Sequence, residues 1–196
     1  MTAARTLPPI AILDGLPADE FAGVVGPLFE NAPTFVATLA ASRPFASYEA
    51  LWPAALEIAI AMPEAAQVEL IDAHPRLGAP PASVSAMSFR EQGYGSSQPK
   101  AAGAAESARA AQAADTELAA QAAQASGAVA AELERLNQVY EARFGFRYCV
   151  FVNGRSRAEL IPGMVAALEA DRASEIERAL GEIVTIAEAR SRTLTP

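Results

Sequence analysis

Residues 17–29, which read PADEFAGVVGPLF, carry the clearest structural signal in this chain. Their large apolar side chains recur at steps of three and four residues, at Phe21, Val24, Val25, Leu28 and Phe29. That spacing places them on one face of an α-helix, and Pro17 stands where the first turn of a helix tolerates proline. The stretch therefore predicts an amphipathic helix that buries one face against other helices.

Similar signals predict helices further along the chain. One is expected to begin around Pro33, and another at Ser47, whose hydroxyl can accept a hydrogen bond from a free backbone N–H. A fourth is expected over residues 63–73, ending near His74 because Pro75 disfavours helical geometry in the residue before it.

The second half of the chain has the same character. Residues 130–143 predict a helix with Leu133, Leu136, Val139 and Tyr140 on one face, and Gly145 can terminate it. Residues 156–159 and 174–177 have the capping-box pattern Ser-x-x-Glu and predict the starts of the last two helices. We therefore expect an all-α fold, a helical bundle of about seven to nine helices with at most one short extended segment near residues 147–152.

The domain organisation is expected to be simple. No linker separates two hydrophobic cores, so residues 1–196 predict one domain. Residues at about 98–128 are rich in alanine, with strong helix propensity but few large apolar side chains. We interpret this segment as an insertion that is either an exposed helix or mobile.

Composition and charge limit the classes of partner. Hydrophobic residues make up 52% and charged residues 19%, which is typical of a globular core. The net charge of -8 disfavours nucleic acid and anionic membrane surfaces as partners, because both attract basic proteins. Residues 1–13 are broken by Pro8 and Pro9, and the most apolar stretch, residues 54–62, is too short to span a membrane. We expect a cytoplasmic protein.

The chain has one cysteine, Cys149, and one histidine, His74. One cysteine cannot form an intramolecular disulfide, and this pair cannot supply the usual ligands of zinc, so we expect no metal. Histidine titrates near neutral pH, which makes His74 a candidate for proton transfer. A helix C-terminus would favour its imidazolium form as a proton donor. The alternative is a structural histidine at the end of a helix.

Residues 88–92, which read SFREQ, also allow two interpretations. Ser88 and Glu91 have the spacing of a capping box, which would explain both residues without any catalysis. The same spacing presents a hydroxyl, a carboxylate and an amide at a helix N-terminus, where a polar anionic ligand can bind.

Six short motifs, in order, make the chain resemble the OHCU decarboxylases, the 2-oxo-4-hydroxy-4-carboxy-5-ureidoimidazoline decarboxylase family. They cover about residues 21–190. The motifs are FENAP (29–33), SRPF (42–45), AHPRLG (73–78), SFREQ (88–92), LNQVYEARFGF (136–146) and IAEAR (186–190).

The resemblance implies a function and a set of site residues. It implies a single domain over about residues 15–192 that acts in urate breakdown, decarboxylating a small ureide to S-allantoin without a cofactor, and a homodimer. His74 would be the catalytic histidine and Glu91 its partner carboxylate, either orienting it or binding the ureido nitrogens. The residues that would bind substrate are Pro75, Ser88, Phe89, Arg90, Gln92, Tyr148, Cys149, Val150, Phe151, Val152 and Arg190, the last to counter anionic charge.

The chain departs from the family pattern in three places. Arg147 and Tyr148 stand where members often have proline and phenylalanine, and residues 93–97 replace a usual alanine-glycine pair. Asn137 lies 46 positions after Glu91, a longer spacing than the family commonly shows. These changes leave two alternatives open: an enzyme acting on a different ureide, or a helical interaction protein without catalysis. Catalysis requires His74, Glu91 and Arg190 to line one cavity.

Overall fold

The structure is a computed structural model that describes residues 6–92 and 108–194. Within these ranges it contains α-helices and short 3-10 turns and no strand, which confirms the predicted all-α fold. The helices are α1 (Ile10–Gly15), α2 (Ala18–Val25), α3 (Pro33–Ala41), α4 (Tyr48–Ala61), α5 (Glu64–Ala73), α6 (Ala86–Glu91), α7 (Ala108–Phe144), α8 (Arg157–Ala167) and α9 (Arg172–Leu194); the 3-10 turns cover Gly26–Phe29 and Pro81–Ser83.

The first predicted helix is divided in two. Its α-helical part, α2, ends at Val25, and residues Gly26–Phe29 form a 3-10 turn with Pro27 near its start. Proline lacks an N–H and its ring clashes with the carbonyl four residues earlier, so Pro27 disfavours continuation of the α-helix at this point. The apolar face is preserved, because Phe21, Val25, Leu28 and Phe29 are all buried. Helix α1 was not predicted.

Three of the predicted helix starts are confirmed and two are displaced by one turn. Helix α3 starts at Pro33, Ser47 caps α4 and residues 156–159 form the capping box of α8. However, Ser88 does not cap α6: Ser85 accepts from the backbone N–H of Ser88 at 3.2 Å. Ser174 does not cap α9 either, because Asp171 accepts from its backbone N–H at 2.9 Å.

Helix α7 joins two segments that the sequence analysis treated separately. It runs for 37 residues, so the alanine-rich segment from residue 108 onward is continuous with the anchored helix; residues 98–107 of the predicted insertion lie outside the described part of the chain. Residues 123–128 are exposed, whereas Leu133, Leu136 and Tyr140 are buried. Val139, which was predicted on the same face, is 40% exposed.

Helix α9 is the central element of the bundle. It packs against α4, α5 and the 3-10 turn at Gly26–Phe29. Four of its apolar residues that recur at helical steps, Ile176, Leu180, Ile183 and Ala187, are all buried. None of the described helices combines the length and the apolar character needed to cross a membrane.

Two glycines with positive φ provide a matched test of packing. Gly78 has φ +82° and Gly145 has φ +76°; a Cβ on Gly78 would lie 2.8 Å from Cδ2 of Leu133, whereas nothing lies within 4 Å of one on Gly145. Left-handed backbone costs an alanine about 1–2 kcal/mol at either site, and overpacking adds about 1–3 kcal/mol at Gly78 alone. Urea unfolding should therefore show a larger loss for Gly78→Ala than for Gly145→Ala. Equal losses would contradict the close contact with Leu133.

Candidate active site

His74 lies at the C-terminal end of α5, as predicted, with an extended backbone of φ -77° and ψ 140°. Its side chain is 3% exposed, and Nδ1 lies 3.2 Å from the carbonyl oxygen of Leu70. Because a carbonyl oxygen can only accept, Nδ1 carries the proton of the neutral ring. Nε2 then presents a lone pair, and this buried atom has no hydrogen-bond partner within the described residues.

The protonation state of His74 differs from the sequence-based expectation. Burial, followed by the positive charge of Arg190, lowers the pKa of His74 from 6.5 to about 4. The expected imidazolium at the helix C-terminus is therefore wrong for the free protein at neutral pH. Loss of hydration outweighs the helix dipole here because the ring is almost fully enclosed. The His74 ring is therefore neutral in the free protein at neutral pH.

This pKa predicts how stability varies with pH. Between pH 6.5 and about 4 the unfolded chain binds a proton on His74 that the folded chain does not bind. The free energy of unfolding is therefore highest above the pKa of His74 in the unfolded chain. It decreases as the pH falls through that value and is lower by about 2 kcal/mol at pH 5. Urea unfolding at pH 7.5 and pH 5 measures this loss, and the variant His74→Gln should lose about 2 kcal/mol less than the wild type. Parallel pH dependences of the two proteins would contradict the lowered pKa.

Arg190 organises a buried cluster of charges beside His74. It is 3% exposed, and its Nε and Nη2 contact both oxygens of Glu91 at 2.7 and 2.8 Å. Nη2 also donates to Glu30 at 2.8 Å and to the Ser88 hydroxyl at 3.0 Å, and Nη1 donates to the Leu28 carbonyl at 3.0 Å. All three guanidinium nitrogens are thus held by protein groups.

Glu30 is a member of this cluster that the sequence analysis did not identify. It accepts from the hydroxyls of Ser88 at 2.6 Å and Ser85 at 3.0 Å, in addition to Arg190. Burial opposes its charge, but the hydrogen bond from Ser88 and the charge of Arg190 leave the pKa of Glu30 below its ordinary value. Its backbone is left-handed, with φ +51°. Its position in the FENAP motif was the feature of the sequence that could have identified Glu30 as a site residue.

Glu91 does not pair with His74 as the resemblance suggested. Both carboxylate oxygens of Glu91 accept from Arg190, and the single contact of the His74 ring nitrogens is with Leu70 within the described residues. Glu91 also fails to form the predicted capping box with Ser88, whose hydroxyl bonds Glu30 instead. An orienting role of Glu91 on His74 is therefore excluded in this structure, whereas a contact with substrate is compatible with it.

His74, Glu91 and Arg190 do line one cavity, which we call the His74 cavity. Two further residues, Leu77 and Ile186, line it without having been predicted. Phe89 and Arg90 were expected to contact substrate but do not line this cavity. The complete lining is His74, Pro75, Leu77, Ser88, Glu91, Gln92, Tyr148, Cys149, Val150, Phe151, Val152, Ile186 and Arg190.

Residues 148–152 form one wall of the cavity as an irregular segment without strand pairing. Helix α9 holds its backbone: Arg178 donates to the Cys149 carbonyl at 3.0 Å, and Glu182 accepts from the backbone N–H of Phe151 at 2.7 Å. Burial raises the pKa of the Cys149 thiol to about 12, so it is not a thiolate nucleophile at neutral pH.

The unusual residues at 147 and 148 have different positions. Arg147 does not line the cavity; its guanidinium donates to the carbonyls of Asp72 at 2.7 Å and His74 at 3.1 Å. It therefore helps to hold the end of α5. Tyr148 does line the cavity, so it is the changed residue that affects the cavity surface. No group of three or more potential metal ligands occurs among the described residues.

Comparison with known families agrees with this arrangement. The sequence model described as OHCU decarboxylase matches residues 14–114 and 96–192. The chain belongs to the OHCU decarboxylase family. The OHCU decarboxylase motifs at His74, residues 88–92 and Arg190 are the segments that meet at the His74 cavity.

Relatives of this OHCU decarboxylase family member differ in length. The Uric acid degradation bifunctional protein PucL of Bacillus subtilis is 30% identical over 85% of this chain, and a protein of the same description from Bacillus sp. is 27% identical over 89%. The chain spans only about 30% of the length of these two proteins. The 2-oxo-4-hydroxy-4-carboxy-5-ureidoimidazoline decarboxylase of Haloferax volcanii is 25% identical, and the match covers 88% of this chain and 87% of that protein.

Solved structures share the fold. A crystal structure of OHCU decarboxylase in the presence of (S)-allantoin superposes with a TM-score of 0.57 at 22% identity, covering 90% of this chain and 96% of that one. A crystal structure of (S)-allantoin synthase gives the same TM-score at 16% identity, covering 96% of this chain and 54% of that one.

Proposed function

We propose that this chain decarboxylates 2-oxo-4-hydroxy-4-carboxy-5-ureidoimidazoline to (S)-allantoin, with no metal or organic cofactor. One observation carries the proposal: the buried Nε2 of His74, which has no hydrogen-bond partner among the residues that the structure describes, lines a cavity together with Glu91 and Arg190. Leaving such an atom without a partner costs free energy, which a substrate hydroxyl would recover. The alternative of a non-catalytic helical protein gives no reason for this arrangement.

The chemistry of the substrate explains why no cofactor is needed. One ring carbon carries both a hydroxyl and a carboxylate, and the imidazoline ring keeps one C=N bond next to it. When the bond to the carboxylate breaks, carbon dioxide leaves and the electron pair forms a C=C bond, while the ring nitrogen takes up one proton. The resulting enol then moves its hydroxyl proton to the neighbouring carbon, which creates the stereocentre of allantoin.

The proposed carrier of that proton is His74. Its Nε2 accepts the hydroxyl proton while Nδ1–H stays bonded to Leu70, and the imidazolium returns the proton to the neighbouring carbon. Protonation from one side of the cavity gives one enantiomer. Glu91 keeps free lone pairs beyond its contacts with Arg190, and these can accept from the ureido N–H groups.

The test is a chirality-resolved assay of allantoin formation. Freshly generated substrate, made by oxidation and hydrolysis of urate, is followed with and without the protein by optical activity. The expected result is faster formation of allantoin with an excess of the S enantiomer. Racemic allantoin formed at the spontaneous rate would overturn the proposal.

The changed residue Tyr148 provides a reason to test other ureides. Because its ring lies in the cavity wall, turnover of close analogues should be compared with that of the proposed substrate. The single domain, the homodimer and the cytoplasmic location remain predictions. Size-exclusion chromatography with light scattering and cell fractionation test the last two.

A further inference from the structure

A second cavity adjoins the His74 cavity. The two share Leu77, Glu91, Gln92, Phe151 and Val152 as lining residues. The His74 cavity has a volume of about 40 Å³, which is room for a few water molecules, whereas the second cavity has about 590 Å³. A ligand of more than a few atoms that reaches His74 therefore extends beyond the His74 cavity, and the second cavity has room for it.

Three cations line the second cavity, which we call the arginine chamber: Arg90, Arg155 and Arg157. Its two acidic lining residues are Glu91 and Glu159, so three arginines against two carboxylates leave one positive charge in excess. The chamber is thus locally positive in a chain whose net charge is -8. Such a local patch draws anions to a surface that otherwise repels them.

Arg190 itself does not supply a positive charge that attracts anions. Its Nε, Nη1 and Nη2 are held by two carboxylates, a hydroxyl and backbone carbonyls, and the cluster of Arg190, Glu30 and Glu91 has one positive charge for two negative ones. An anionic ligand approaching the His74 cavity therefore gains no net attraction from this cluster. The positive charges that it meets on the way belong to the chamber.

We propose that the arginine chamber is an anion-capture site, where a small carboxylate-bearing ligand binds before it enters the His74 cavity. The identity of the ligand as the ureide substrate rests on the proposed function; anion binding by the chamber does not. Arg90 lies on the last turn of α6 with an exposed side chain, and Arg157 lies on the first turn of α8. Arg155 also donates to the carbonyls of Phe151 and Val152, so it holds the shared wall as well.

The kinetic test replaces Arg90 and Arg157 and leaves Arg155, which holds this wall, unchanged. The double variant Arg90→Gln/Arg157→Gln should lose about tenfold in kcat/KM at low ionic strength, and the loss should disappear near 1 M salt. Arg90→Gln alone should lose less. The control Arg135→Gln/Arg143→Gln removes the same charge from exposed positions on α7 and should behave as wild type. A double variant equal to the control at low salt, or a loss that persists at high salt, would overturn the proposal.

A binding test that does not depend on turnover separates the two proposals. The probe is inorganic phosphate, followed by the broadening of its ³¹P resonance on addition of the full chain. We expect broadening with the wild type and the α7 control and much less with Arg90→Gln/Arg157→Gln. Equal broadening in all three proteins, or none with the wild type, would overturn the capture site. If phosphate binds as expected while allantoin stays racemic, the capture site stands and the proposed function fails.

Discussion

Replacement of His74 by glutamine is expected to lower kcat/KM for formation of (S)-allantoin by about 10²- to 10⁴-fold, the usual contribution of a positioned acid or base. Glutamine can keep a contact with the Leu70 carbonyl, but its amide cannot accept a proton from the substrate hydroxyl and return it to carbon. The product enantiomers must be resolved, because spontaneous decarboxylation gives a racemic background.

A second lining residue provides the control. Cys149→Ala alters the surface of the same cavity without removing a group that titrates near neutral pH, since the Cys149 pKa is raised to about 12. We expect this variant to lose less than about tenfold in kcat/KM, well short of a general-base loss. Wild-type turnover and enantiomeric excess in a folded His74→Gln protein would exclude His74 as the proton carrier.

Replacement of Arg190 by leucine should cause the largest loss of stability, about 3–5 kcal/mol in urea unfolding at neutral pH. It would leave Glu30 and Glu91 facing each other without their shared cation, and Glu30 has a side chain only 9% exposed. The Leu28 carbonyl would lose its donor as well. Since carboxylates without a partner favour protonation, the loss should shrink as the pH is lowered towards 4.

Arg192 provides the matched control on the same helix. Its side chain is 72% exposed and pairs with Glu188, so Arg192→Leu should cost less than about 1 kcal/mol. Comparable losses for the two variants would show that the buried cluster does not stabilise the fold. Arg190→Lys should recover little, because an ammonium cannot form the two-pronged contact with Glu91.

The fold was largely predictable from apolar periodicity. Phe21, Val25, Leu136 and Ile183 repeat at helical steps and are buried in the structure. Burial of large apolar side chains is the dominant favourable contribution to folding, so the pattern that records it is reliable. Val139 fits the same steps but lies at the edge of the buried face of α7.

The helix starts were less predictable because several polar side chains compete for the same role. At α6 the cap is Ser85, three residues before the Ser88 that has the capping-box spacing; at α9 it is Asp171, three residues before Ser174. The N-cap is the residue at which the backbone departs from helical geometry, and its position depends on how the whole helix packs. In α6, Ser88 is drawn instead to Glu30 by tertiary contact.

The residues of the site were predicted, but the hydrogen bonds and ion pairs between them were not. The motifs located His74, Glu91 and Arg190, yet the partner of Glu91 is 99 residues away in Arg190 and that of Glu30 is 160 residues away. Pairing over such separations is a property of the assembled bundle and has no local signal. The lowered pKa of His74 also follows from burial, which the loop sequence around it did not reveal.

The 160-residue separation between Glu30 and Arg190 also affects how the protein is made. Synthesis proceeds from the N-terminus at about 5–20 residues per second, so on the order of ten to thirty seconds pass between the synthesis of Glu30 and that of Arg190. Until then the nascent chain can form helices but cannot bury Glu30 in its charged state without a partner. The bundle can therefore be completed only after Arg190, 160 residues beyond Glu30, has been synthesised.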